Sequence, residues 1–216
     1  MRRAIAVDPK AKRRAIIFLA IAGALLWIPT SQLLVGRPPN FLRNLGFFSG
    51  PSGTPLAWAL AIAAAVAYSA FTIRNIPLVR QYWRSLSFLK LFVIPIAAAA
   101  AIVEEALFRR VIMGWVLDAG GGAIVQVLAT GMIFGLAHGI WGIATGRIIA
   151  GLGATIATGA VGVVLGIVYV VGERSLAPVI VSHFIIDAVI QPGIMFAAFS
   201  GQMPRPVAGW WRLTSR

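Results

Sequence analysis

Six long apolar runs dominate this chain and limit its fold more than any other feature: residues 15–36, 55–73, 88–117, 123–143, 147–171 and 176–199. A bilayer core about 30 Å thick is crossed by roughly 20 apolar residues in a helix. In lipid, every backbone N–H and C=O must be paired within its own segment, so runs of this kind fold as helices. The expectation is an all-α, polytopic transmembrane helix bundle of about six spans, some of them possible broken helices. It forms a single membrane domain over residues 1–216, with no separate soluble domain. Composition agrees: 59% of residues are hydrophobic, 12% are charged and the mean hydropathy is +0.88, which excludes an ordinary soluble domain. The absence of cysteine excludes disulfides and thiolate metal sites.

Breaks between the runs follow turn chemistry. Residues 37–54 contain Pro38, Pro39, Gly50, Pro51 and Gly53 and predict a loop. Residues 118–122 predict a break, and 172–175 a tight turn. The basic N-terminus followed by an apolar stretch resembles a signal peptide. That stretch continues to about Gly36, too long for such a peptide, and predicts a retained first helix.

The net charge of +13 reads as topology rather than nucleic-acid binding, because Lys and Arg gather at the ends of the apolar runs. With the N-terminus in the cytoplasm, fourteen basic residues fall on that side: Arg2, Arg3, Lys10, Lys12, Arg13, Arg14, Arg74, Arg80, Arg84, Lys90, Arg147, Arg205, Arg212 and Arg216. Three, Arg37, Arg43 and Arg174, fall on the other. Both termini are therefore expected to be cytoplasmic. Trp210, Trp211 and Arg212 fit an interfacial anchor. The bias suits an integral protein of a prokaryotic plasma membrane, with the lipid bilayer as its partner and no nucleic acid.

Ionisable residues inside spans are costly and point to function. Here they are Glu104, Glu105, Arg109, Arg110, His138, His183 and Asp187, and they include both histidines of the chain. Glu105 and Arg109 lie four apart, share a helix face and can pair. Glu104 is turned about 100° from Glu105 and is free to face a cavity. His183 and Asp187 are also four apart, and a carboxylate there can orient an imidazole. Phe134 shares a face with His138 and forms a packing wall beside it.

These spacings resemble a known family. Glu104-Glu105-x-x-x-Arg109 is similar to its EExxxR motif, Phe134-x-x-x-His138 to FxxxH, and His183-x-x-x-Asp187 to Hxxx(N/D), all in order. The family is the type II CAAX prenyl endopeptidase and bacteriocin-processing (CPBP, or Abi) family of membrane proteases. The resemblance covers about residues 88–195, the motif-bearing catalytic core.

The resemblance implies an intramembrane endopeptidase whose partner is a peptide or protein substrate: it hydrolyses a peptide bond of a membrane-associated peptide, with prenylated CAAX-type peptides as one candidate class and other membrane-bound peptides left open. Glu104 is then the base, and His138 positions the water. His183 with Asp187 forms the oxyanion site, while Glu105 and Arg109 hold the first motif in shape. The family has Asn or Asp at position 187, and an ionised Asp cannot donate to an oxyanion. Asp187 is thus protonated, orients His183, or binds a metal. Glu104, His138, His183 and Asp187 would make a two-His, two-carboxylate zinc set. No HExxH helix is present. The expectation is no obligatory cofactor, with zinc as the alternative. The other functional classes are a catalytically silent scaffold or immunity protein and a proton-coupled transporter.

Residue counting gives one geometric expectation. With a helix start at 123, His138 lies too near the cytoplasm to meet Glu104 and His183. The helix is therefore predicted to start at 126–128 and run to Arg147, with turn residues at 151–153.

Overall fold

The computed structural model describes residues 5–36, 41–47, 52–85 and 87–203. Among them every regular element is a helix. In order, they are α1 (Pro9–Gly36), α2 (Phe41–Asn44), α3 (Pro55–Asn75), α4 (Pro77–Tyr82), α5 (Phe88–Glu105), a π-helical segment (Ala106–Ile112), α6 (Met113–Asp118), α7 (Ala123–His138), α8 (Ile140–Ala144), α9 (Ile148–Val171), α10 (Ala177–Ile190) and α11 (Gly193–Ser200).

Local chemistry sets several of these boundaries. The Thr54 hydroxyl accepts from the backbone N–H of Ala57 at 3.1 Å, and Pro55 opens α3 where its missing N–H costs nothing. The Ser87 hydroxyl caps α5 by accepting from the N–H of Lys90 at 3.2 Å. The turn between α9 and α10 places Glu173 (φ 55°) and Arg174 (φ 63°) in the left-handed region.

Four helices are long and apolar enough to cross a membrane: Pro9–Gln32, Pro55–Asn75, the continuous Phe88–Asp118 and Ile148–Val171. The pair α10 and α11 passes the same test together, bent by 58° at Gln191–Pro192. The sixth apolar segment is the shorter, 16-residue α7. Large apolar side chains such as Ile148, Ile156 and Ile167 on α9 stay exposed, as a lipid-facing surface requires. The chain is an integral membrane protein.

The predicted displacement of α7 does not occur. The helix begins at Ala123, where the Gln126 side chain donates to the carbonyl of Gly121 at 2.7 Å. It ends at His138, and α8 and a turn at Gly146 (φ 66°) precede α9. Gly151, expected in a turn, lies inside α9, where its backbone packs against that of Gly142 with no room for a Cβ. The level of His138 follows from the packing of α7 against α9, not from residues counted from a helix end. The predicted loop over 37–54 contains α2, whose Asn44 carbonyl accepts from Arg110 at 2.6 Å. Trp210, Trp211 and Arg212 lie outside the described residues.

Glycines bring α7 and α9 together. A Cβ on Gly135 would stand 2.8 Å from Gly159 Cα, and one on Gly131 would stand 2.8 Å from the Val163 backbone nitrogen. Close backbone approach through small residues is how membrane helices gain dispersion contacts. Gly135→Val is expected to force these helices apart at a cost of about 1–3 kcal/mol. Thermal unfolding in detergent would show it; an unchanged midpoint would refute the contact.

Candidate functional site

Glu105 ends α5 and Arg109 lies in the π-helical segment that follows, both with fully buried side chains. Arg109 Nε donates to Glu105 Oε2 at 2.8 Å. The pairing expected from the four-residue spacing therefore forms, although the backbone between the two is wound as a π-helix. Such segments concentrate at functional sites.

The second oxygen of Glu105 does something the spacing did not indicate. Glu105 Oε1 stands 2.8 Å from His183 Nδ1 on α10. A carboxylate accepts only, so Nδ1 carries the proton, and in the neutral ring Nε2 is left as an acceptor. Asp187 Oδ2 lies 3.7 Å from His183 Nε2, beyond a direct hydrogen bond. The carboxylate that holds this imidazole is therefore Glu105, from another helix, and not Asp187 four residues away.

His138 ends α7 and is fixed by its own helix. Its Nδ1 lies 2.9 Å from the carbonyl of Phe134, so Nδ1 is the donor and Nε2 points away as an acceptor. The Phe134 ring packs 4.5 Å from the His138 ring and 5.8 Å from that of His183, with centroids as reference points. The wall expected beside one histidine thus serves both. Phe108 packs edge-on behind it at 4.9 Å.

Glu104 Oε2 is buried and has no hydrogen-bond partner in the protein. It stands 3.8 Å from His138 Nε2 and 3.9 Å from His183 Nε2. Glu104, His138, His183 and Asp187 therefore converge from α5, α7 and α10, with their polar atoms too far apart to bond one another. A tetrahedral zinc with bonds of 2.0–2.1 Å would draw its ligand atoms to about 3.4 Å apart. The Glu104–His138, Glu104–His183 and His183–Asp187 spacings of 3.8, 3.9 and 3.7 Å are wider than that, and among the described residues no group of three or more His, Asp or Glu side chains is arranged to hold a metal ion.

Residues outside the three motifs support the site. Arg109 Nη1 reaches the Thr130 hydroxyl at 3.4 Å, and that hydroxyl donates to the Gln126 carbonyl at 2.8 Å. Gln126 Oε1 in turn accepts from Arg174 at 2.6 Å. Buried Thr and Gln within apolar runs are the signal that could have identified this chain. Lys90, counted as a cytoplasmic charge, is buried, and its Nζ donates to the carbonyls of Val189 and Gln191 at 2.9 and 2.5 Å. It caps the C-terminal end of α10, where carbonyls lack helical partners.

Residues 85–189 match the profile of the family described as Type II CAAX prenyl endopeptidase Rce1-like. No curated protein and no solved structure matches the chain. The matched segment runs from just before α5 to the end of α10 and includes every residue of the converging cluster. This segment belongs to the CAAX protease family.

Proposed function

We propose that the protein is an intramembrane endopeptidase that hydrolyses a peptide bond of a membrane-associated, prenylated CAAX-type peptide. The family supports a CAAX-type membrane protease. The observation that carries the mechanism is the unpartnered Glu104 Oε2 facing His138 Nε2 across 3.8 Å. Two acceptors at that separation suit a water molecule that donates one O–H to each.

Glu104 takes a proton as the water oxygen attacks the carbonyl carbon, forming a tetrahedral intermediate. His138, with Nδ1 committed to Phe134, holds the water through Nε2. The C–N bond then breaks, and the proton passes from Glu104 to the leaving nitrogen. His183 and Asp187 line the side on which the carbonyl oxygen gains charge. Glu105, Arg109 and Thr130 keep His183 in place. The wide spacing of the four donors favours a route without an obligatory metal.

The test is cleavage of a fluorogenic prenylated peptide by the purified protein in detergent, alone and with chelator. Wild type is expected to cleave and to keep its activity with chelator, while His138→Ala loses about 10²–10⁴-fold in kcat. Equal activity in His138→Ala would refute the assignment, and loss with chelator would replace it with the metal-dependent one.

A further inference from the structure

Chemistry in the converging cluster depends on two helices keeping one relative position, because α5 carries Glu104 while α10 carries His183 and Asp187. His183 Nε2 stands 3.9 Å from Glu104 Oε2 and 3.7 Å from Asp187 Oδ2. A misplacement of about 1 Å in such a cluster is enough to cost about 10²-fold in rate. One polar tie between these helices is the 2.8 Å contact of His183 Nδ1 with Glu105 Oε1. A single tie leaves α10 free to turn and swing about it.

A second tie lies on the far side of Asp187. Helix α10 ends at Ile190, and the chain bends by 58° into α11 across Gln191 and Pro192. Proline has no N–H to offer, so carbonyls at this end lack helical partners. In a membrane such carbonyls need another donor. The Lys90 ammonium supplies it, donating to the carbonyls of Val189 at 2.9 Å and Gln191 at 2.5 Å. Lys90 lies in the first turn of α5, where its own N–H is held by the Ser87 hydroxyl at 3.2 Å. It is only 8% exposed and, among the described residues, pairs with no carboxylate. A buried cation in a membrane span is costly. Its place against the negative end of the α10 dipole offsets that cost. A lysine that served topology alone would extend to the headgroups instead.

The two ties bracket Asp187, which lies four residues after His183 and two before Val189. Along the helix axis these steps are about 6 Å and 3 Å. A helix held at two points by the same neighbour has its depth and its rotation fixed. Beyond the bend α11 packs on α4 instead, where Gly193 lies against the Val79 backbone with no room for a Cβ.

We propose that Lys90 is a positioning residue of the peptidase described above: its ammonium group pins the C-terminal end of α10 to α5 and so sets where His183 and Asp187 stand against Glu104. The proposal rests on the peptidase reading. Lys90 touches neither substrate nor the reacting atoms and acts through α10.

Lys90→Met keeps the apolar stem and removes the ammonium. With the prenylated fluorogenic peptide as substrate, well below the unfolding midpoint, it is expected to lower kcat about 10–10²-fold at nearly unchanged KM. Lys90→Arg keeps a cation with donors for both carbonyls and is expected to recover most of that loss. A lysine that only stabilised the fold would move the unfolding midpoint and leave kcat of the folded protein at the wild-type value. A second readout needs no substrate. Hydrogen exchange at the amides of Val189, Ile190 and Gln191 is expected to be roughly tenfold or more faster in Lys90→Met, as loss of hydrogen bonds to a charged group implies. Wild-type kcat or unchanged exchange in Lys90→Met would overturn the proposal while the peptidase reading stands, as would Lys90→Arg being no more active than Lys90→Met. An inactive wild type would defeat the peptidase reading, and the proposal with it.

Discussion

Glu104→Gln is expected to lower kcat for peptide cleavage by about 10²–10⁴-fold, the range for loss of a positioned general base. The substitution keeps the shape of the side chain and removes its capacity to take up a proton. Glu104 Oε2 has no hydrogen-bond partner in the protein, so the fold loses no internal bond with it. The unfolding midpoint is therefore expected to stay near that of wild type while activity falls. A protein that acts as a scaffold would keep its biological function with Gln at this position, and a peptidase would not. Near-wild-type turnover by Glu104→Gln would remove Glu104 from the chemistry.

Arg109→Leu has the opposite signature, with stability failing first. Arg109 and Glu105 are fully buried and joined at 2.8 Å, and Glu105 also holds His183 at 2.8 Å. Removing the cation leaves a buried carboxylate without its counter-charge. Breaking such a pair from one side costs about 3–5 kcal/mol. The Thr130 hydroxyl loses its contact with Arg109 Nη1 as well. The expected result is a large drop in the unfolding midpoint together with loss of cleavage, because His183 is no longer held. Glu105→Leu combined with Arg109→Leu removes both charges and is expected to recover part of the stability and none of the activity. If Arg109→Leu alone unfolded at the wild-type midpoint, the ion pair would have no role in the fold.

The two variants separate the neighbouring glutamates by their surroundings. Glu104 has one oxygen without a protein partner, facing two imidazoles. Glu105 has both oxygens engaged, one by Arg109 and one by His183. Consecutive residues on a helix point about 100° apart, which is enough for one carboxylate to face a reactive space while the other is enclosed by structure.

Contacts within one helix were legible from spacing. The Glu105–Arg109 pair and the packing of Phe134 beside His138 both lie within about one turn, so residue number alone places the partners together. The same holds for helical class, because unbroken apolar runs leave the backbone no other way to satisfy its hydrogen bonds in lipid. The three motifs likewise pointed to the family whose profile residues 85–189 match.

Contacts between helices were not legible. Glu105 and His183 are 78 residues apart, and which carboxylate claims the imidazole depends on how α5 and α10 lie against each other. Position along the chain favoured Asp187, but through space the closer partner is Glu105. The ends of α7 and α9 were misplaced for a related reason. The register of α7 and α8 against α9 follows from glycine backbones in contact at Gly135–Gly159 and Gly142–Gly151, which hydropathy does not record. Residue types and their periodicity determined that this chain folds as membrane helices and which side chains could carry chemistry. Only packing between helices decided which of those side chains meet, because the relative depth and rotation of two helices are set by their mutual contacts and not by either sequence alone.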